Sequence, residues 1–392
     1  MVNRVKSSWP KYSSEEIDEV IRVLETNKVN YWSGCHGREF EKEFSSYFNV
    51  DFSIAVSNGT LALDLALRSV GIELGDEVVV TPRTFIASVA AIINLGAKPV
   101  FADVDLDSGN ITAENIAKVL TSKTKAIICV HLAGWPCDMD PIIELAKSKN
   151  IFLVEDCAQA HHAKYKDKFV GTIGDIAAWS FCEDKIMTTG GEGGMVTTNN
   201  EELFKKAWSY KDHGKDFEAF SQKNSSYVFK YIHNQFGSNY RMTEIQSVIG
   251  RRQLRNLEIW QKTREENAMR LMNVCKMFQE IIRAPLPSND YLHAYYKYYI
   301  YIEPDALKPD WSRDKIVKTL NTSGLPCGSG SCPEVYLEKA FNNIDFENES
   351  RLSNAKSLGE KSIMFLVHPT LTEEEMDFAS ETISNVMGLA KR

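Results

Sequence analysis

Between about residues 50 and 210 the sequence alternates short, continuously apolar runs with helical patterns, and this alternation limits what the chain can fold into. FSIAVS (52–57) precedes GTLALDLALRSV, and EVVVTP (77–82) precedes TFIASVAAIINLG. AKPVFADV (97–104) leads to NITAENIAKVL, TKAIICVHL (124–132) to DPIIELAKSKN, and IFLVEDCA (151–158) to a segment ending in IAAWSF (176–181). Runs that are apolar at every position, rather than at alternate ones, are strands covered on both faces. The pattern predicts an α/β fold with a doubly wound, mostly parallel sheet and helices on both sides. In such sheets ligands sit beyond the carboxyl ends of the strands. Residues 242 to about 268 read as one long charged helix leading out of this unit. KYYIYIEP (297–304), an amphipathic stretch over 314–322 and LTEEEMDFASETISNVMGLA (371–390) predict a smaller α+β unit.

A chain of 392 residues, 43% hydrophobic and 10% aromatic, can bury a large core and is long enough for two domains, expected here over 1–260 and 261–392. The net charge of -8 and pI near 5.6, with no basic tract, argue against a nucleic-acid or membrane-surface partner. A small anionic substrate stays open, because a pocket can be locally positive on an acidic protein. The opening MVNRVKSSWPKYSSEE lacks the apolar stretch of a signal peptide, and the apolar region 85–95 is too short to span a bilayer, so a cytoplasmic protein is expected. Eight cysteines without CxxC spacing point to neither a zinc site nor a disulfide framework, and most are expected to be buried free thiols.

The strand ends carry the chemistry. After FSIAVS, Ser57-Asn58-Gly59-Thr60 opens a helix; Ser or Asn caps its N–H groups and Gly59 lets an anion approach them, as in a phosphate cradle. Alone, the same residues also read as an ordinary N-cap. After EVVVTP, Phe85 is an aromatic able to stack on a flat ring, or a core residue. After IFLV, Asp156 ends a buried strand, where a carboxylate is costly unless paired, so a cationic partner is expected. A protonated pyridine nitrogen would serve, with Gln159 one helical turn on to bond a ring oxygen. His161 and His162 beside Asp156 suggest a metal cluster, but adjacent strand residues point to opposite faces, and no metal site is expected.

After IAAWSF comes FCEDKIMTTGGEGGM (181–195). A P-loop places its glycines before the lysine, and here they follow it, so a phosphate-gripping role for Lys185 fails. A lysine at a strand end can instead form a Schiff base with pyridoxal phosphate, with Gly190-Gly191 and Gly193-Gly194 providing a tight turn and Ser180 a hydroxyl for the phosphate. An exposed loop lysine is the plainer alternative. The combination favours the cofactor: cradle, aromatic, buried acid with glutamine, and lysine all fall at strand ends of one sheet.

SNGTLAL (57–63), TPRTFIAS (81–88), HLAGWPCDMD (131–140), EDCAQAHHA (155–163), SFCEDKIMTTGGEGGM (180–195) and NYRMTEIQSVIG (239–250), in this order, resemble the DegT/DnrJ/EryC1/StrS family of pyridoxal-phosphate-dependent nucleotide-sugar aminotransferases. The resemblance implies fold type I, with a large domain around a seven-stranded sheet, a smaller C-terminal domain, and a homodimer with shared active sites. It implies that Lys185 is the Schiff-base lysine, Asp156 pairs with the pyridine nitrogen, Gln159 approaches the ring hydroxyl and Phe85 stacks on the ring. Ser57, Gly59, Thr60 and Ser180 would hold the phosphate, with Asn239 reaching it from the neighbouring subunit. The implied reaction carries an amino group from an amino acid, glutamate by family expectation, to a nucleotide-linked keto sugar for glycan biosynthesis. A 4-keto-6-deoxyhexose is the expected acceptor; a 3-keto sugar, a keto-cyclitol or a pyridoxal-phosphate-binding regulatory role are the alternatives. Trp135 in HLAGW and CGSGSCPEVYLEKAF (327–341) depart from the commoner family pattern and put the identity of the sugar in doubt.

Overall fold

The computed structural model describes residues 4–221, 231–344 and 351–392. The apolar runs form β1 (Phe52–Val56), β2 (Glu77–Val80), β3 (Lys98–Phe101), β4 (Thr124–Val130) and β5 (Phe152–Asp156). Two-residue strands β6 (Lys164–Tyr165) and β7 (Lys168–Phe169) follow, then β8 (Ile176–Ser180) and β9 (Gly194–Thr198). Seven of these make one sheet in the order β1-β9-β8-β5-β4-β2-β3. Only β9 runs against its neighbours, pairing antiparallel with both β1 and β8.

The two faces of this sheet are both covered, which explains the unbroken apolar runs. Val78, Val80, Ala126 and Ile128 point into one core cluster, while Val79, Ile127 and Cys129, their alternate neighbours, point into another. The helix Gly59–Ser69 lies over the first face, with Ala62, Leu63, Leu65, Ala66 and Leu67 buried. The helix His36–Phe48 places Phe40, Phe44 and Phe48 one turn apart, and Phe44 and Phe48 pack against Trp179. Fully burying each such ring contributes about 1.5–3 kcal/mol.

A second sheet, β10 (Ile282–Arg283), β12 (Tyr298–Ile302), β14 (Ser362–Phe365) and β13 (Cys327–Gly328) in that order, is antiparallel throughout. Its core is shared with the helices Leu257–Cys275, Arg313–Thr322 and Glu373–Ala390. Val5 belongs to this core, and the N–H groups of Lys6 and Ser7 donate to Glu375, so the N-terminal segment is bound to the C-terminal helix. The strand β11 (Tyr291–Leu292) pairs with β6 beside the main sheet.

Three expectations differ from the structure. The helix expected over 242–268 is two helices, Glu244–Leu254 and Leu257–Cys275, separated at Arg255 and Asn256. The helical pattern at 110–120 yields only Ala113–Ala117. Of the eight cysteines, all free, four are buried, while Cys182, Cys327 and Cys332 are half-buried and Cys35 is exposed. No helix among the described residues is long and apolar enough to cross a membrane.

Candidate active site

The carboxyl ends of β1, β2, β5 and β8 open onto a cavity of about 840 Å³. Gly59, Thr60, Phe85, Asp156, Gln159, Ser180 and Lys185 all line it. Ser57 and Asn239 do not: Ser57 is tied through its N–H to the Tyr240 carbonyl at 2.9 Å, and Asn239 is exposed, bridged to Asp212. His161 and His162 also lie outside the lining. His161 packs against Trp179 and Phe181, and the His162 ring bonds the Tyr47 hydroxyl at 2.6 Å.

The first wall is the start of the helix Gly59–Ser69. Asn58 is extended and its Oδ1 accepts the Leu61 N–H at 2.9 Å, so it is an N-cap. Helix geometry leaves the Gly59 and Thr60 N–H groups without an intrahelical acceptor, at the positive end of the helix dipole. A Cβ on Gly59 would lie 2.5 Å from Ser180 Cβ, so glycine is what lets this turn close onto the end of β8. Cap, Asn58, and cradle, Gly59 and Thr60, are therefore consecutive residues of one helix start.

Asp156, 4% exposed, forms the floor. Its Oδ2 accepts from the Ser88 hydroxyl at 2.8 Å, Ser88 is bonded to Thr84 Oγ1 at 2.9 Å, and its Oδ1 accepts the Ala158 N–H at 3.1 Å. No lysine, arginine or histidine among the described residues forms an ion pair with it. Burial raises its carboxyl above the ordinary range, and the Ser88 and Ala158 bonds and the charge on Lys185 only partly offset this. The neighbouring Glu155 serves the opposite side of the strand: it accepts N–H groups from Gly171, Ile173 and Gly174 and bonds His131 Nε2 at 3.0 Å. His131 Nδ1 accepts the Cys137 N–H, so the ring proton sits on Nε2 and this buried group is a hydrogen-bonded brace.

Gln159 Oε1 accepts the Ala133 N–H at 2.7 Å, which leaves its NH2 free to donate in the cavity. Lys185 follows β8 in a turn closed by its N–H to the Cys182 carbonyl, and its own carbonyl accepts from Trp9 Nε1 at 2.6 Å. Its Nζ lies over the Tyr296 ring, 5.1 Å from the centroid. Gly190 and Gly191, both at positive φ, then turn the chain back into β9. Phe85, 66% exposed, stands in the lining rather than in the core.

Sequence reasoning missed Thr84 and Ser88: Thr84 lies in the bend before the helix Ala87–Asn94 and Ser88 in its first turn, and only the fold brings their hydroxyls together against Asp156. It also missed Tyr296 and Lys297, which reach the cavity from the segment just before β12 and carry no local signal. Tyr296 donates its hydroxyl to Asp184, and its N–H bonds the Ala133 carbonyl, next to the N–H that holds Gln159.

The residues present fit pyridoxal phosphate. Free helix N–H groups suit its phosphate, a buried carboxylate without a cationic partner suits a protonated ring nitrogen, and a lysine amine suits its aldehyde.

Comparison with known proteins points the same way. Residues 10–384 match the DegT/DnrJ/EryC1/StrS aminotransferase family, whose enzymes depend on pyridoxal phosphate. A solved aminotransferase from Psychrobacter cryohalolentis is 53% identical, with a TM-score of 0.96 over 97% of this chain and 98% of that one. GDP-perosamine synthase of Escherichia coli O157:H7 is 35% identical over 375 residues, 96% of each chain. The dTDP-3-amino-3,6-dideoxy-alpha-D-galactopyranose transaminase of Aneurinibacillus thermoaerophilus is 31% identical over 95% of this chain and 96% of the relative.

Proposed function

Because the chain belongs to the DegT/DnrJ/EryC1/StrS aminotransferase family, we propose that it transfers the amino group of L-glutamate to a nucleotide-linked 4-keto-6-deoxyhexose, acting as a homodimer. The observation that carries this reading is Asp156: a buried carboxylate at a strand end, with no cationic side chain paired to it, facing a cavity that also holds Lys185. Bound pyridoxal phosphate supplies an electron sink and a store for the amino group between the two substrates. Asp156 would hold a proton on the ring nitrogen. Lys185 Nζ would be the attachment point for the cofactor and the base that moves the donor's α-proton. Gly59, Thr60 and Ser180 would anchor the phosphate, Gln159 would donate to the ring oxygen, and Phe85 would cover the ring. Asn239, exposed on its own chain, is available to a neighbouring subunit. The relatives above support a nucleotide-linked sugar as acceptor; the one from Aneurinibacillus thermoaerophilus favours a 3-keto sugar as the second reading.

The test is the absorbance spectrum of the purified protein with pyridoxal phosphate, before and after L-glutamate, followed by a screen of GDP- and dTDP-linked keto sugars. A visible-edge band that moves to shorter wavelength with glutamate, and returns only with a keto sugar, supports the reading. A protein that never develops the band is not an aminotransferase of this kind.

A further inference from the structure

Two cations line the cavity among the described residues, Lys185 and Lys297. Both amines lie over the same phenol ring: the Lys185 Nζ is 5.1 Å and the Lys297 Nζ 4.6 Å from the Tyr296 centroid. Lys297 is largely enclosed, its side chain 18% exposed. Its nearest carboxylate oxygen, on Asp184, is 3.7 Å away, beyond hydrogen-bond length, and that carboxylate already accepts the Tyr296 hydroxyl. The ammonium group thus has no hydrogen-bond acceptor among the described residues, although an enclosed cation is costly unless it is both paired and hydrogen-bonded. Burial accordingly lowers its pKa, with Arg264 and Lys185 adding to the effect and Asp184 opposing it.

We propose that Lys297 binds the α-carboxylate of the amino-acid donor. The inference rests on the transaminase reading and adds the residue that selects amino acids over simple amines. Once the Lys185 amine is committed to the cofactor, Lys297 is the remaining cation of the lining. An amino acid's α-carboxylate is one carbon removed from the reacting nitrogen, so it must lie on the Lys185 side of the cavity, where Lys297 shares the Tyr296 ring with Lys185. The diphosphate of a nucleotide sugar is held away from the reacting carbon by the hexose ring, so a cation sharing one aromatic ring with Lys185 is poorly placed for it. The lining acids, Asp156, Asp184 and Glu192, would repel a carboxylate anywhere that Lys297 does not offset them.

The test uses the cofactor-loaded protein, Lys297→Met and Lys297→Arg. The L-glutamate concentration giving half-maximal conversion of the visible band should rise at least tenfold in Lys297→Met and recover substantially in Lys297→Arg. Calorimetric titration with glutarate, which carries carboxylates but no amine, should weaken in parallel, while GDP binding should not change. An unchanged response to L-glutamate, or a loss confined to GDP binding, would overturn the assignment and leave the transaminase reading intact. A wild-type protein with no visible band would sink that reading, and this site with it.

Discussion

The indole Nε1 of Trp9 donates a 2.6 Å hydrogen bond to the main-chain carbonyl of Lys185, so a residue at the start of the chain fixes the turn that presents the proposed catalytic amine. Trp9 is itself held edge-on to Trp260, with centroids 4.9 Å apart. Trp9→Phe keeps most of the ring packing and removes the donor. It is expected to cost about 1 kcal/mol of stability and to lower kcat several-fold while pyridoxal phosphate still binds. Denaturant melts and steady-state kinetics check the two effects separately; unchanged kcat would mean that the turn holds its shape without the indole.

The same N-terminal segment carries a pH dependence. Glu375 accepts the Lys6 and Ser7 N–H groups at 2.7 and 2.8 Å and the Thr372 N–H at 3.0 Å. Burial alone would raise its carboxyl, but the Ser7, Thr372 and Lys6 bonds bring it down to about 2. A carboxyl held below its unfolded value of 4.5 contributes stability above that value and loses it as pH falls towards 2. Hydrogen exchange at the Lys6 and Ser7 amides should therefore lose protection as pH falls from 4.5 towards 2, after correction for intrinsic rates. In Glu375→Gln, protection should be low throughout; a wild-type profile in that variant would contradict the anchor.

Ser88 is expected to set the protonation behaviour of Asp156. A hydrogen bond to a charged group contributes about 1.5–3 kcal/mol, so Ser88→Ala should raise the Asp156 carboxyl further and slow transamination about tenfold or more. The sign in the cofactor-free protein is opposite to that of Glu375. A buried carboxyl raised above its unfolded value stabilises the fold at low pH, and that contribution is lost as pH rises through the folded value. The stability gap between Ser88→Ala and wild type should accordingly be wider at pH 8 than at pH 4.5, measured by urea unfolding. A gap independent of pH would mean that Ser88 only fills space.

Gly59→Ala tests the cradle. The added Cβ would meet Ser180 Cβ at 2.5 Å, closer than carbon atoms tolerate, so the helix start must move away from β8. Affinity for pyridoxal phosphate, read by spectroscopic titration, should fall at least tenfold with the fold retained by circular dichroism. Undiminished affinity would place the phosphate elsewhere.

The sequence made the parallel part of the sheet legible because the centres of β2, β4 and β5, at 78–80, 126–130 and 153–154, are buried on both faces and apolar residue after residue. It did not reveal β9. Thr197 and Thr198 look like surface positions, yet both are buried with their hydroxyls bonded to the Gly171 and Asp175 carbonyls. The break between Leu254 and Leu257 was equally hidden: Arg255 and Asn256 keep right-handed helical angles, with no proline or glycine to mark the bend. At the site, Asp156, Gln159 and Lys185 could be found because strand-end position is a local property. Tyr296 and Lys297 could not, since they join Lys185 in one cavity only through the tertiary fold.

Lys185 is tested most directly by peptide mapping with mass spectrometry after the protein is loaded with pyridoxal phosphate and reduced with borohydride. A phosphopyridoxyl group is expected on the peptide containing Lys185 and none on the peptide containing Lys297. A label on Lys297, or no label on either, would contradict the assignment of Lys185 as the catalytic amine.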